Sequence, residues 1–227
     1  MGWEDFNLSL MGSIDFSINA QHLILGVFDT ANNALDAEWD RYAVAMHKEL
    51  SKAMNENDPQ AEYFSQEMYW MEDVYRQRRQ GLGALALDWL MCSLQGALNG
   101  AKRYLDSTHP AGREYKGRDG WLGNISREFQ ERFDVDFHKA PVPFERIQEL
   151  VLARNACIHR TDGGLHQYLN KIDKPTFVDE EDRLFVGREA LDAIIKDCQE
   201  FIRWVEKEVE KLRRAKGKKT EPEIRRS

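Results

Sequence analysis

The segment REALDAIIKDCQEFIRWVEKEVEKLRR, residues 188–214, decides the fold. Its apolar side chains recur every three or four residues, which is the period of an α-helix with one buried stripe. The stripe consists of Leu191, Ile194, Ile195, Cys198, Phe201, Ile202, Val205 and Val209. Because a stripe of this length needs partners to cover it, the segment predicts a long final helix in a helical bundle.

A comparable pattern precedes it in the first part of the chain. Leu35, Trp39, Tyr42, Met46 and Leu50 share one helical face. Asn32 or Asn33 is expected to cap this helix, which runs to about residue 57. Asp58-Pro59 then breaks the pattern, so the helix is expected to end there.

A second helix is predicted from about residue 60 to residue 80. It either continues into the apolar run that ends near residue 105 or is interrupted at Gly81 and Gly83 by a kink or a short loop. The outline GLGALA at residues 81–86 fits a dinucleotide-binding motif, but no strand precedes it. A helix junction is therefore the expected role of these glycines.

The second half of the chain predicts two shorter helices before the final one. One starts at Asp119 or Gly120 and ends at about residue 133. Pro141 and Pro143 introduce the other, over residues 144–159. The run PTFVDEEDRLFVG, residues 175–187, places two β-prone segments around an acidic turn and predicts a small β-hairpin.

The fold class expected from these patterns is all-α. It is a helical bundle with a four-helix core and N-terminal helices, accompanied by the small hairpin at residues 175–187. The segments 33–57, 82–105, 144–158 and 188–212 are expected to supply the core.

Composition favours a soluble cytoplasmic protein. The three cysteines, Cys92, Cys157 and Cys198, are far apart, which indicates neither a disulfide framework nor a zinc ribbon. MGWEDFNLSL at the N-terminus lacks the features of a secretory signal. The apolar run 82–98 contains Asp88 and Gln95 and is shorter than a membrane span, so no membrane association is expected.

Charge is distributed unevenly along the chain. The net charge is −7, yet residues 207–227 carry nine Lys or Arg and four Glu, which leaves −12 for residues 1–206. An acidic body argues against a protein that coats nucleic acid. The basic tail either frays into solvent or forms an arm that helps capture RNA, and three cations at its start are candidate RNA contacts. They are Lys211, Arg213 and Arg214.

The segment RNACIHRTDGG, residues 154–164, carries the candidate chemistry. In it an arginine and a histidine bracket four residues. Arg154 lies on the apolar stripe of its helix, where a guanidinium is costly unless an anion or a set of acceptors meets it. An unperturbed histidine side chain titrates near neutral pH, so Arg154 and His159 together could bind a phosphate and move a proton. The alternative is a structural arginine that bridges carbonyls or a carboxylate of another helix, with His159 as an ordinary helix terminus.

Three side chains in and just after this segment are of types that bind metals. Cys157, His159 and His166 lack a fourth ligand and the spacing of zinc fingers. The sequence therefore predicts no metal and no cofactor.

These features resemble the HEPN family of all-helical ribonuclease and toxin domains, in which an Arg-x4-6-His motif carries RNA cleavage. Arg154, Asn155 and His159 match that motif, and RTDGGLHQYL at residues 160–169 continues the pattern. The resemblance covers about residues 70–212. It implies a HEPN-like domain there and leaves residues 1–69 as a helical extension packed on the core. The charge of residues 213–227 predicts a disordered basic tail.

The resemblance also implies a homodimer whose two motifs face each other across a cleft. His159 would act as general acid and base, Arg154 would stabilise charge on the phosphorane and Asn155 would orient one or the other. Arg160 would contact RNA. The products would be a 2′,3′-cyclic phosphate and a 5′-hydroxyl, from a metal-independent endoribonuclease that serves as a toxin or an antiviral-defence effector.

One position departs from some toxin members of the family. Those members have a tyrosine two residues after the histidine, where a partner nucleotidyltransferase modifies it, and this chain has Thr161. An antitoxin or defence partner is therefore expected to act by occlusion. The alternative function is a non-catalytic dimeric module of the same fold that binds RNA, a nucleotide or a protein partner.

Overall fold

The computed structural model describes the backbone of residues 3–108, 117, 120–159, 162–181 and 183–219. Side chains are described for residues 17–107, 117, 120–158, 164–181 and 183–215. Within these ranges the chain forms six α-helices, which confirms the predicted all-α class. They are α1 (Trp3–Asn55), α2 (Gln60–Thr108), α3 (Gly120–Phe133), α4 (Phe144–His159), α5 (Asp162–Lys171) and α6 (Arg188–Lys219).

The core lies where the second half of α2 packs against α4 and α6. All eight side chains of the predicted α6 stripe are buried. They meet Leu87, Leu90 and Leu94 of α2 and Ile147 and Leu150 of α4. Each fully buried aliphatic side chain contributes on the order of 1.5–3 kcal/mol, so this stripe is the main reason that α6 is held in the bundle.

A short 3-10 helix, Phe137–Lys139, fastens α3 to this core. The ring centroid of Phe137 is 5.1 Å from those of Phe129 on α3 and Phe201 on α6. It is also 5.7 Å from the ring of Phe144 at the start of α4. One aromatic side chain therefore joins three helices.

The predicted start of the first helix is wrong. α1 begins at Trp3 and passes through Asn32 and Asn33 without a break. Instead of capping, Asn32 donates to Asp36 at 3.2 Å and accepts from Arg79 of α2 at 3.1 Å. The upstream turns continue the helix because Ile24 and Phe28 are buried in the bundle, and tertiary packing overrides a local capping preference.

The segment 33–57 was also wrongly expected to supply core. Although this segment is described throughout, none of its side chains belongs to the core cluster, to which α1 contributes Ile24 and Phe28. Its aromatic residues pair instead with the first half of α2, where Trp39 stacks on Tyr75 at 5.1 Å. At the turn, Asn57 has a φ of 50° and Asp58 accepts from the amide of Gln60 at 2.9 Å, which caps α2.

α2 is a single helix of 49 residues, so the alternatives left open at its two glycines are settled in favour of a continuous helix. Gly83 lies against Val186 in the segment before α6. A Cβ at position 83 would be 2.6 Å from the Cβ of Val186, whereas one at Gly81 would meet nothing within 4 Å. Glycine at 83 therefore permits close packing.

The predicted β-hairpin at residues 175–187 is wrong. Among the residues described there, which exclude 182, no strand forms and one antiparallel bridge joins Val178 to Leu184. Asp179 instead closes a turn, because its carboxylate accepts from the amides of Glu181 and Arg183 at 3.0 and 2.9 Å. Phe177 and Val186 are buried in the helical core, which holds the segment by side-chain packing.

α2 also contains the stretch that meets the length and hydropathy of a membrane span, within Gln60–Ser107. Of that stretch 44% is buried inside the fold. Helices in the core of globular proteins meet the same criterion, and the leucines of this one form part of the core. The boundary expected at residue 70 falls in the interior of α2, and the predicted division into domains stays a prediction.

At its other end α6 continues to Lys219, five residues beyond the predicted end at Arg214. Residues 220–227 of the basic tail lie outside the described part of the chain.

Candidate functional site

The candidate site lies where α4 ends and α5 begins. α4 ends at His159 and α5 starts at Asp162. A Cβ at Gly164 would be 3.3 Å from the Cα of Ala156, which is tighter than most such contacts. The small residue at 164 therefore lets α5 fold back onto the last turns of α4.

Arg154 is bound by a carboxylate of another helix. Its Nε and Nη2 lie 2.8 and 2.7 Å from Oδ1 of Asp88 on α2. Its Nη1 donates to the side-chain oxygen of Asn155 at 3.1 Å. Asp88 is thus the carboxylate of another helix that the structural alternative expected for Arg154. Arg154 itself lies beside the buried face of α4, which includes Leu150 and Ala153, and not within it.

Asp88 was not among the predicted site residues, although the sequence contains a signal for it. It is the only charged residue between Leu82 and Leu98, in an otherwise apolar and small-residue run. A lone carboxylate on a core helix needs a partner for the same reason as Arg154. Pairing the two anomalies would have identified the contact.

The Arg154–Asp88 pair is accessible from solvent. The side chains are 30% and 38% exposed, respectively. An ion pair with this exposure contributes only about 0–1 kcal/mol. A phosphate group, which offers several anionic oxygens, can therefore compete with Asp88 for the guanidinium.

The positions of Arg154 and His159 fall on different faces of α4. The helix stays regular through residue 159, and five residues of helix rotate by about 140°. Position 159 instead lies four residues after Asn155, on the same face. The side chain of His159 and the whole of Arg160 lie outside the described residues.

Exposed apolar side chains lie close to the ion pair along both helices. On α2, Leu85 is one turn before Asp88 and 69% exposed, and Trp89 directly follows Asp88 and is 43% exposed. Ile158, one turn beyond Arg154 on α4, is 42% exposed. We call Leu85, Trp89 and Ile158 the apolar rim.

The candidate RNA contacts at the end of α6 are not brought to this site. Lys211 pairs with Glu208 at 2.6 Å, and both Arg213 and Arg214 pair with Glu210. Arg213 interacts electrostatically with Tyr104 of α2. Tyr104 is sixteen residues beyond Asp88, which corresponds to roughly 24 Å along the helix.

The remaining candidate ligands do not assemble. No group of three His, Cys, Asp or Glu that could hold a metal ion occurs among the side chains that the structure describes. Burial raises the pKa of the Cys157 thiol to about 11, so this sulfur stays protonated at neutral pH. His166 is exposed on α5.

Comparison of the chain with protein-family models, curated proteins and solved structures finds no match.

Proposed function

We propose that this protein is a metal-independent endoribonuclease of HEPN type that acts in the cytoplasm as a toxin or an antiviral-defence effector. The observation that carries the proposal is the accessible guanidinium of Arg154, whose contact with Asp88 a phosphate can replace. Arg154 lies little more than one turn before His159, the last residue of α4. Arginine suits this position because its planar fork can bind two phosphate oxygens at once.

The reaction would use the substrate's own 2′-hydroxyl. His159 takes the proton of that hydroxyl, the 2′-oxygen attacks phosphorus and the bond from phosphorus to the 5′-oxygen breaks. A protonated His159 of the second copy supplies the proton to the departing 5′-oxygen. Arg154 stabilises the added negative charge on the phosphorane, and Asn155 holds Arg154 or orients the histidine on its own helix face.

A homodimer is part of this proposal. Because positions 154 and 159 point from α4 about 140° apart, one subunit is not expected to place both groups on one phosphate. The apolar rim around the ion pair supports a second copy as its cover, since exposed apolar side chains clustered at one place are typical of interaction sites. Facing copies would then contribute the arginine and the histidine to each phosphate.

The test uses purified protein in EDTA with RNA and DNA of the same sequence. Cleavage of RNA alone, giving 2′,3′-cyclic phosphate ends by mass spectrometry, is the expected result. His159→Ala and Arg154→Ala should each abolish it. His47→Ala and Arg78→Ala are matched controls, because both residues lie on the exposed surface of the α1–α2 pair. Cleavage that needs Mg²⁺, or that survives His159→Ala, contradicts the proposal.

A second candidate function is a non-catalytic dimeric module that binds RNA, a nucleotide or a protein partner. The occupation of Arg154 by Asp88 favours it, as does the acidic body. Expression in cells separates the two: a nuclease should be toxic, with toxicity relieved by Arg154→Ala. A harmless wild-type protein that binds RNA without cutting it would establish the module instead. A partner protein, whether of a nuclease or of a binding module, would cover the apolar rim.

A further inference from the structure

A cleft of about 620 Å³ opens between α3 and the α4–α5 pair. Its volume is within the range of pockets that hold small-molecule ligands and is more than twice that of the 270 Å³ cavity beside Trp39. His138 of the 3-10 helix and Phe144 at the start of α4 line the cleft. Lys171 at the end of α5 and Ile172 directly after it also line it.

The lining combines three kinds of chemistry. Trp121 offers a partly exposed indole at the start of α3, beside the apolar side chains of Val151 and Leu152. Gln130 and Gln148 supply amides that can both donate and accept hydrogen bonds. Arg127 and Lys171 add two positive charges.

The charge of this cleft contrasts with that of the whole chain. Among the lining residues that the structure describes, Arg127 and Lys171 are cations and Glu145 is a carboxylate, which lies 3.8 Å from the imidazole of His138. The chain as a whole has a net charge of −7. Two cations in one lining can attract an anion although the chain as a whole is acidic, because salt screens charges that lie more than about 10 Å away.

The cleft lies on the face of α4 that carries Asn155. Gln148, Leu152 and Asn155 are spaced by four and three residues, so they follow one another along a single face. Leu152 lines the cleft, and Asn155 is roughly 4.5 Å further along the helix axis. A chain of nucleotides seated in the cleft could thus extend toward the Arg154–Asn155 end of α4.

We propose that this cleft binds one nucleotide, with its base stacked on Trp121, its base edge hydrogen-bonded by Gln130 or Gln148 and its phosphate held by Arg127 and Lys171. The shared chemistry is a planar base joined to a phosphate, which a free mononucleotide and a nucleotide within an RNA strand both provide. The extension toward Asn155 rests on the proposed ribonuclease function, whereas binding in the cleft does not.

Binding is measured by calorimetry with the full chain. The four ribonucleoside monophosphates form one arm, and a single-stranded octamer with 2′-O-methyl groups, which cannot attack its own phosphates, forms the other. Saturable binding in either arm is expected. Binding of monophosphates identifies a free-nucleotide site, and binding of the octamer alone identifies a subsite for an RNA strand.

Three substitutions test the assignment. Trp121→Leu should weaken binding by about tenfold or more, because stacking on an aromatic ring carries much of the affinity for an unpaired base, and Trp121→Phe should retain most of it. Lys171→Glu should weaken binding and make it less sensitive to salt. Lys48→Glu is the control, since it makes the same charge change on the exposed surface of α1.

The outcomes distinguish this proposal from the proposed catalysis. The nucleotide site is contradicted if neither the monophosphates nor the octamer bind. It is also contradicted if neither Trp121→Leu nor Lys171→Glu changes the affinity. Loss of cleavage in Arg154→Ala with octamer binding intact supports it. If circular dichroism shows that Trp121→Leu is unfolded, Lys171→Glu, at the exposed end of α5, decides the question alone.

Discussion

Arg154 on α4 places two of its nitrogens on a single oxygen of Asp88 on α2, at 2.8 and 2.7 Å. This pair joins the two anomalies of the sequence, a cation on an apolar stripe and a carboxylate in an apolar run. Because both side chains are partly exposed, the contact is weak enough for a phosphate group to replace it. In the ribonuclease that we propose, Asp88 would keep the site inhibited until RNA binds.

Asp88→Asn should release the guanidinium without unfolding the protein. RNA affinity should rise, and the salt dependence of binding should steepen by about one phosphate contact. The free energy of unfolding should change by no more than about 1 kcal/mol, as for other exposed pairs. Electrophoretic titration of RNA at several salt concentrations and urea unfolding measure the two effects.

Asp73→Asn is the control for this experiment, because Asp73 is an exposed α2 carboxylate bonded only locally, to Gln77 of the next turn. A loss of several kcal/mol in Asp88→Asn, with RNA affinity unchanged, would make Arg154 a structural residue.

Gly83→Ala should destabilise the protein by about 1–3 kcal/mol, since the new methyl group would overlap Val186. Gly81→Ala should stabilise it by roughly 0.5–1 kcal/mol, because alanine is the better helix former and meets no neighbour there. Urea unfolding measures both. In a Val186→Gly background, which removes the Cβ of Val186, the effect of Gly83→Ala should shrink, and equal effects of the two glycine substitutions would refute the close contact.

Tyr168→Phe should lower the free energy of unfolding by about 1–3 kcal/mol, because it removes a buried hydroxyl that makes two hydrogen bonds. That hydroxyl donates to Glu149 at 2.9 Å and accepts from the amide of Phe177 at 3.0 Å, which ties residues 176–177 to α4 and α5. Urea unfolding should show the loss, and hydrogen exchange should accelerate at the Phe177 amide. Tyr42→Phe is a neutral control, because within the described side chains the Tyr42 hydroxyl has no hydrogen-bond partner.

The buried thiol of Cys157 should lower the free energy of unfolding at alkaline pH. Its pKa is raised by burial from 9.0 to about 11. Below pH 9 the thiol is protonated in both states and the stability is complete; between pH 9 and about 11 the unfolded chain releases the proton first, so stability falls. Cys157→Ala should lose less stability over this interval in urea titrations. Cys92→Ala, which removes an exposed thiol, should keep the wild-type profile.

Trp89→Asp should dissociate the proposed dimer, because it replaces an aromatic side chain of the apolar rim with a charge. Light scattering should report twice the chain mass of 26.5 kDa for the wild type and the single mass for the variant. Trp70→Asp makes the same change at an exposed α2 tryptophan outside the rim. Dissociation by Trp70→Asp alone would place the interface on the first half of α2.

Helices with strong periodicity were predicted closely. The bounds of α4 were correct because prolines precede it and glycines follow its end, and the α6 stripe was correct because eight apolar residues kept one period. The predictions were wrong where residues with a clear local preference are bound by residues distant in the sequence. Asn32 has the chemistry of a cap, yet Arg79 binds its side chain; the β-prone run at 175–187 is held by Glu149 and the helical core.

For the candidate site, too, the sequence predicted positions along one helix but not the contact with another helix. Spacing alone placed Arg154 and Asn155 late in one helix, and helical geometry put position 159 on another face than Arg154. The partner of Arg154 lies 66 residues away on α2, and no spacing rule relates the two.

The sequence by itself determined the all-α class, the stripe of α6 and the anomalous charge of Arg154, because each follows from a period or a cost within a few residues. Only the tertiary structure decided that Asp88 neutralises Arg154, that Gly83 admits Val186 and that a cationic cleft opens beside Trp121. These features depend on which helices lie side by side, and that is set by burying all the apolar faces together.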